Sequence, residues 1–209
     1  MYIILVFLLL RVPVIGRYIA LLNTLIHELG HAVVTTLTGG KVDKIQLFAN
    51  AEGKAWSRNH WFGALLTTAA GYPAASATAF LLLYLIHQAN YLLVMIIFTG
   101  ILLISFLLWI RNIYGFLWVI SFGALFSTLY FTNNEFLIPH VCIILTVIIL
   151  VESVTTALDV LILSIRTPKQ AGDASGMARA TFIIPAPVWG VLFFAQSLVF
   201  AWFGVQLYV

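Results

Sequence analysis

The chain has 209 residues, of which 63% are hydrophobic and only 8% are charged, and its formal net charge is +3 at pH 7. Soluble domains carry roughly 25% charged residues, so this composition excludes an ordinary water-soluble fold and predicts an integral membrane protein. The ten Lys and Arg residues are dispersed and form no basic stripe. We therefore expect a lipid bilayer, and no nucleic acid, as the partner of this chain. No soluble domain, linker or repeat is visible, and residues 1–209 are expected to form a single membrane domain.

The apolar run at residues 1–10 is too short to cross a bilayer by itself. Ten helical residues cover about 15 Å, which is half of a hydrocarbon core of roughly 30 Å. The run has neither the basic leader nor the small-residue cleavage site of a signal peptide, so we expect it to be retained. Either it extends through residues 12–15 to complete a span, or it packs as a half-helix.

Six longer apolar runs follow, separated by short polar breaks. The first, residues 18–38, ends at Gly39-Gly40, a natural helix stop. The other five cover residues 61–86, 91–110, 113–131, 136–165 and 183–208. The pattern predicts an all-α polytopic membrane protein with six or seven transmembrane helices, depending on how residues 1–10 pack.

Residues 41–56 interrupt this helical pattern. Apolar residues are interspersed with polar ones up to Phe48, and residues 50–53 (Asn-Ala-Glu-Gly) are typical of a turn. We expect a short β-hairpin directly after the first long helix; an ordered interfacial loop is the alternative.

The positive charges predict the orientation in the membrane. Residues 39–60, Arg111 and residues 166–179 hold eight of the ten Lys and Arg residues, whereas the connections at 87–90 and 132–135 hold none. Basic residues collect on the cytoplasmic side of membrane proteins. We therefore expect the protein to lie in the cell membrane, with the hairpin and the opening of the active site facing the cytoplasm.

A metal-binding motif, His27-Glu28-Leu29-Gly30-His31, lies within the first long apolar run. Residues i and i+4 share one face of a helix, so His27 and His31 can bind one Zn2+ ion. Glu28 can act as the catalytic base toward a water molecule at that ion. Ionisable residues inside a membrane cost roughly 2.5–3.5 kcal/mol each on insertion scales, so a cluster of them indicates a function.

A catalytic zinc ion usually has three protein ligands and one open position. Depth favours Asp159 as the third ligand, because it lies seven residues before Arg166 and therefore roughly 10 Å inside the membrane, where the motif also lies. Glu152 is one heptad earlier on the same face and could orient a ligand. Asp173 falls in a predicted loop and is the alternative third ligand.

Residues 27–47, HELGHAVVTTLTGGKVDKIQL, and the later Ala70-Gly71-Tyr72-Pro73 resemble the M50 family of intramembrane metalloproteases. The match is closest to the M50B-like branch, which is related to the site-2 proteases, and residues 172–174 and 184–190 (Gly-Asp-Ala and Ile-Pro-Ala-Pro-Val-Trp-Gly) also resemble it.

This resemblance implies a zinc metalloendopeptidase that cuts transmembrane protein substrates, with His27 and His31 as ligands and Glu28 as the base. It also implies that the hairpin can hold an extended substrate segment by strand addition. Site-2 proteases usually take the third ligand from an L-D-G motif, but here Leu158-Asp159 is followed by Val160.

Two other functions remain open at this point. A small ion transporter would place ionisable residues along the whole depth of the membrane, whereas here the strongest cluster lies at one depth. A proteolytically inactive scaffold that binds membrane proteins would typically lack a ligand or the glutamate, and this chain has all three motif residues.

Overall fold

The computed structural model describes residues 2–209. In this range the chain forms helices and one two-stranded sheet, in the order α1 (Tyr2–Arg11), α2 (Ile15–Leu37), β1 (Lys41–Leu47), β2 (Gly53–Arg58), α3 (Trp61–His87), α4 (Tyr91–Leu108), α5 (Ile113–Thr132), α6 (Leu137–Arg166), α7 (Gly172–Thr181) and α8 (Ala186–Gln206). The fold is that of a polytopic, all-helical membrane protein with one small antiparallel sheet.

Five helices, α3, α4, α5, α6 and α8, are long and apolar enough to cross a membrane. The pair α1 and α2 adds a sixth span if it is counted as one, and its two helices are bent by 111° at their junction. Pro13 lies at this bend and disfavours helical backbone there, while Val14 adopts a left-handed conformation with φ of 69°. The N-terminal run is therefore a half-helix, one of the two arrangements that the sequence left open.

The structure differs most from the sequence prediction between α6 and α8. The last span begins at Ala186 rather than at residue 183, and a separate ten-residue helix, α7, precedes it. Its sequence, GDASGMARAT, consists mainly of small and polar residues and has no apolar periodicity to reveal it. Asp173, predicted to lie in a loop, is in the first turn of this helix.

The predicted hairpin is present. Strands β1 and β2 are antiparallel, with Lys41 opposite Arg58 at one end and Leu47 opposite Gly53 at the other. The Arg58 guanidinium donates to the Asp43 carboxylate through Nε at 3.1 Å and Nη2 at 2.7 Å, and this cation holds the pKa of Asp43 below its usual value.

The outer edge of β1 is covered by the connection between α4 and α5. The Ile45 amide donates to the Trp109 carbonyl at 2.7 Å, and the Arg111 amide donates to the Ile45 carbonyl at 3.1 Å. On α7, the Ala180 carbonyl accepts from the Trp61 indole at the start of α3, at 3.0 Å. The hairpin, the α4–α5 connection and α7 thus lie on one side of the bundle, which we call the hairpin side.

Helices α2 and α3 pack very closely at the centre of the bundle. A Cβ atom added at Gly30 would lie 2.5 Å from the Ala74 Cβ and 3.2 Å from the Ala70 carbonyl oxygen. Small residues at a helix crossing allow the two backbones to approach closely. Such close packing stabilises helix pairs in a membrane, where the hydrophobic effect does not drive helices together.

Replacing Gly30 with Ala should therefore force α2 and α3 apart and destabilise the protein by about 1–3 kcal/mol, the usual cost of overpacking. Thermal unfolding of the purified protein in detergent would measure the effect. Gly100→Ala on α4 is the matched control, because a Cβ atom there has no neighbour within 4 Å. Equal melting temperatures for the two variants would contradict the close packing.

Candidate metal centre

The two motif histidines occupy successive turns of α2 and face the same point. Their ring centroids are 4.7 Å apart with the planes at 88°, and their Nε2 atoms are 3.0 Å apart. The side chains are mostly buried, with exposed fractions of 16% for His27 and 10% for His31. Two nitrogen donors at this separation, pointing to one location, can bind the same cation.

Asp173 of α7 completes this cluster. Its Oδ2 atom lies 3.1 Å from the His27 Nε2 and 3.2 Å from the His31 Nε2. The three donor atoms lie within 4.8 Å of one another, and among residues 2–209 they form the one cluster of His, Cys, Asp and Glu with the spacing of a metal site. Two imidazole nitrogens and one carboxylate oxygen are a ligand set that suits zinc and leaves a fourth position open.

Small side chains hold α7 against the bundle in the position that delivers this carboxylate. Ala171 and Ala174 are fully buried, and Gly176 packs so closely on α3 that a Cβ atom there would lie 2.8 Å from the Thr68 Cγ2. The Ser175 hydroxyl accepts from the Ala171 amide at 2.7 Å and donates to the Pro168 carbonyl at 2.7 Å. These contacts fix the turn that precedes Asp173.

Asp159, which the depth comparison favoured as a ligand, is not part of the cluster. It lies on the exposed surface of α6, while Glu152 on the same helix is partly buried and also outside the cluster. Depth along a helix does not specify the direction in which a side chain points around the helix axis. The geometry therefore reverses the preference, and Asp173 is the acid that the fold brings to the histidines.

Glu28 lies beside this cluster, underneath the hairpin. It is 7% exposed, and its Oε2 accepts a hydrogen bond of 2.6 Å from the Ala55 amide of β2. The Thr24 hydroxyl donates to the Ala51 carbonyl at 2.9 Å, and a Cβ atom at Gly53 would lie 2.8 Å from the Glu28 Cγ. Strand β2 thus lies directly across the motif on α2.

The tautomer of His31 follows from one backbone contact. Its Nδ1 lies 2.6 Å from the Thr67 carbonyl oxygen on α3. A carbonyl can only accept, so Nδ1 carries the proton and Nε2 keeps its lone pair for a metal. A hydrogen bond of this kind also fixes the orientation of the ring.

Helix α3 also supplies the surface against which the imidazoles pack. A Cβ atom at Gly71 would lie 2.5 Å from the His27 Nε2 and 2.7 Å from the His31 Nε2. The Tyr72 ring packs edge-on against the His27 ring, with centroids 4.6 Å apart. Sequence reasoning missed Thr67, which acts through its backbone carbonyl. Gly71 stood in the segment that resembles the family, and a glycine is suited to close helix packing, but its contact with the imidazoles was not predicted.

A methyl group at residue 71 should displace both imidazoles, so Gly71→Ala is expected to lose bound metal. The measurement is the zinc content of detergent-purified protein by mass spectrometry. Gly123→Ala on α5 is the control, because a Cβ atom there has no neighbour within 4 Å and the metal content should not change. Full metal content in Gly71→Ala would show that the imidazoles do not need this contact.

Comparison with known proteins gives a match to one family. The chain matches the family described as Peptidase M50B-like over residues 1–204. Searches of the curated proteins and of the solved structures find no similar chain. Because the match extends over nearly the whole length of the sequence, this chain belongs to the Peptidase M50B-like family.

Proposed function

We propose that this protein is a zinc-dependent intramembrane endopeptidase that hydrolyses peptide bonds in the transmembrane segments of other proteins. The observation that carries the proposal is the convergence of His27, His31 and Asp173 within 4.8 Å, next to Glu28 and inside a bundle of membrane-length helices. Membership of a peptidase family supports the reaction class.

His27, His31 and Asp173 would hold the Zn2+ ion. When bound, zinc would polarise the scissile carbonyl and lower the pKa of a water molecule at the site towards about 7. The Thr67 carbonyl keeps the His31 ring in the orientation and tautomer that this ligand role needs.

Glu28 is the proposed catalytic base. The Ala55 amide binds its Oε2 and so orients the carboxylate, which leaves Oε1 to accept a proton from the attacking water. The same carboxyl group would then pass the proton to the leaving amine. Burial under the hairpin limits the number of water molecules that compete for the carboxylate.

The outer edge of β2 is the proposed docking site for an extended substrate segment. Ile45 and Ala55 are paired across the hairpin, but their backbone groups point away from each other: those of Ile45 bond to the α4–α5 connection, and the Ala55 amide bonds to Glu28. An extended peptide that added to this edge would pass beside the base, with its backbone held by main-chain hydrogen bonds.

The proposed orientation places the hairpin side in the cytoplasm and the protein in the cell membrane. The elements on that side carry most of the basic residues, as the positive-inside rule requires. These residues are Lys41, Lys44, Lys54, Arg58, Arg111, Arg166, Lys169 and Arg179. Water and product would then exchange with the cytoplasm.

Zinc content and cleavage together test this proposal. Wild type is expected to contain about one zinc ion per chain, as a three-ligand catalytic site does. His27→Ala and Asp173→Ala should lose the ion, and Asp159→Ala should keep it. Glu28→Gln should also keep the ion but no longer cleave a model transmembrane substrate, because only the base is removed.

The control for folding is the thermal stability of each variant in detergent. Zinc lost in Asp159→Ala but retained in Asp173→Ala would make Asp159 the third ligand after all. A wild-type protein that binds no zinc would contradict the peptidase and favour a scaffold or a transporter.

Ala55→Pro tests the role of the strand amide. Since the Ala55 amide points to Glu28 rather than to β1, proline should leave the hairpin ladder intact and remove only the bond to the base. Losing a hydrogen bond to a charged group costs about 1.5–3 kcal/mol, so cleavage should fall roughly 10- to 100-fold while zinc is retained. Ala55→Gly keeps the amide and should cleave nearly as wild type does; wild-type cleavage by Ala55→Pro would refute the role.

A further inference from the structure

Asp159 is an acidic residue at membrane depth to which the proposed mechanism assigns no task. It lies on α6, one of the candidate spans, seven residues before the end of the helix at Arg166, or roughly 10 Å from it. Its side chain is exposed, and among residues 2–209 it has neither an ion-pair partner nor a place in the metal cluster. An exposed carboxylate at this depth is costly unless it has a partner.

The exposed neighbours of Asp159 toward the hairpin-side end of α6 are apolar. Leu158 is 37% exposed, Ile162 is 37% exposed and Leu163 is 43% exposed. Apolar side chains that surround one negative charge are complementary to an apolar helix that carries one positive charge. An anionic lipid headgroup would be repelled by the same carboxylate.

Asp159 also lies close to the candidate metal centre. Its neighbours Ala157 and Val160 belong to the same buried cluster as Tyr72, and the Tyr72 ring packs on the ring of the ligand His27. This turn of α6 therefore belongs to the same buried cluster as the aromatic side chain that contacts His27, so a substrate helix at Asp159 would lie near the metal centre.

We propose that Asp159 pairs with a lysine or arginine in the transmembrane segment of the substrate and so selects which segments are held beside the metal centre. The inference rests on the proposed peptidase function and adds a substrate class to it. A basic residue at this depth is costly for the substrate in the membrane, as the carboxylate is for the enzyme. The ion pair offsets both costs at once, and close charge pairs at interfaces can couple strongly enough for a preference of roughly 10-fold.

The test compares model transmembrane substrates that differ at one residue, about seven residues from the cytoplasmic end of the segment. That residue is Lys, Leu or Glu. Each substrate is coexpressed with the Glu28→Gln protein, which binds without cleaving, and the amount that copurifies is measured. We expect the Lys substrate to be retained roughly 10-fold more than the Leu substrate, and Asp159→Asn in this background to remove the preference.

Charge reversal gives the more specific result. Asp159→Lys in the Glu28→Gln background should prefer the Glu substrate, a switch that a purely structural role would not produce. Glu135→Gln is the matched control, since it removes an acidic residue near the other end of α6, in the connection before the helix, and should leave the preference unchanged. The kcat/KM ratio for the Lys and Leu substrates, measured in the otherwise wild-type enzyme, gives a second readout.

The outcomes separate this inference from the function on which it rests. A zinc-containing, active enzyme whose preference is unchanged by Asp159→Asn would overturn the recognition role alone. Loss of zinc in Asp159→Asn would also overturn it, by making Asp159 a ligand. A wild-type protein without zinc or cleavage would overturn the proposed function first.

Discussion

The close contact between α2 and α3 is the constraint on which the rest of the site depends. Gly30 packs against Ala74 of α3, and Gly71 packs against the Nε2 atoms of both imidazoles. Because neither glycine has a side chain, the α3 backbone comes near enough for the Thr67 carbonyl to bind His31. Backbone atoms of α3 thus help to orient the motif on α2.

Two short polar elements complete the site from the hairpin side. Helix α7 brings the carboxylate of Asp173 to the histidines, and strand β2 brings the Ala55 amide to Glu28. Neither element is long enough to span a membrane, yet both reach into the bundle. Each buried charged group of the site thereby has a partner, which is how a polar centre can persist among apolar helices.

Asp159 differs from Asp173, because among the described residues it forms no ion pair. The sequence marked it as functional because it lies inside a span, and the structure places it on the surface of α6 rather than in the cluster. Asp159 is exposed and has no ion-pair partner within residues 2–209, which favours a role in recognition over a role in metal binding. The proposals accordingly give the two aspartates different roles, metal binding for Asp173 and substrate recognition for Asp159.

Local sequence patterns were sufficient to predict the long helices, the hairpin and the shared face of the two histidines. Apolar runs located the long helices to within a few residues, alternation and a turn signal located the hairpin, and the i, i+4 spacing placed His27 and His31 on one face. The approach of Asp173 to these histidines depends on the packing of distant elements, and the depth of Asp159 along α6 could not predict it because depth does not specify direction around the helix axis. Helix α7 was not predicted because its sequence has no apolar periodicity. Its position depends on the packing of Ala171 and Ala174 in the assembled bundle.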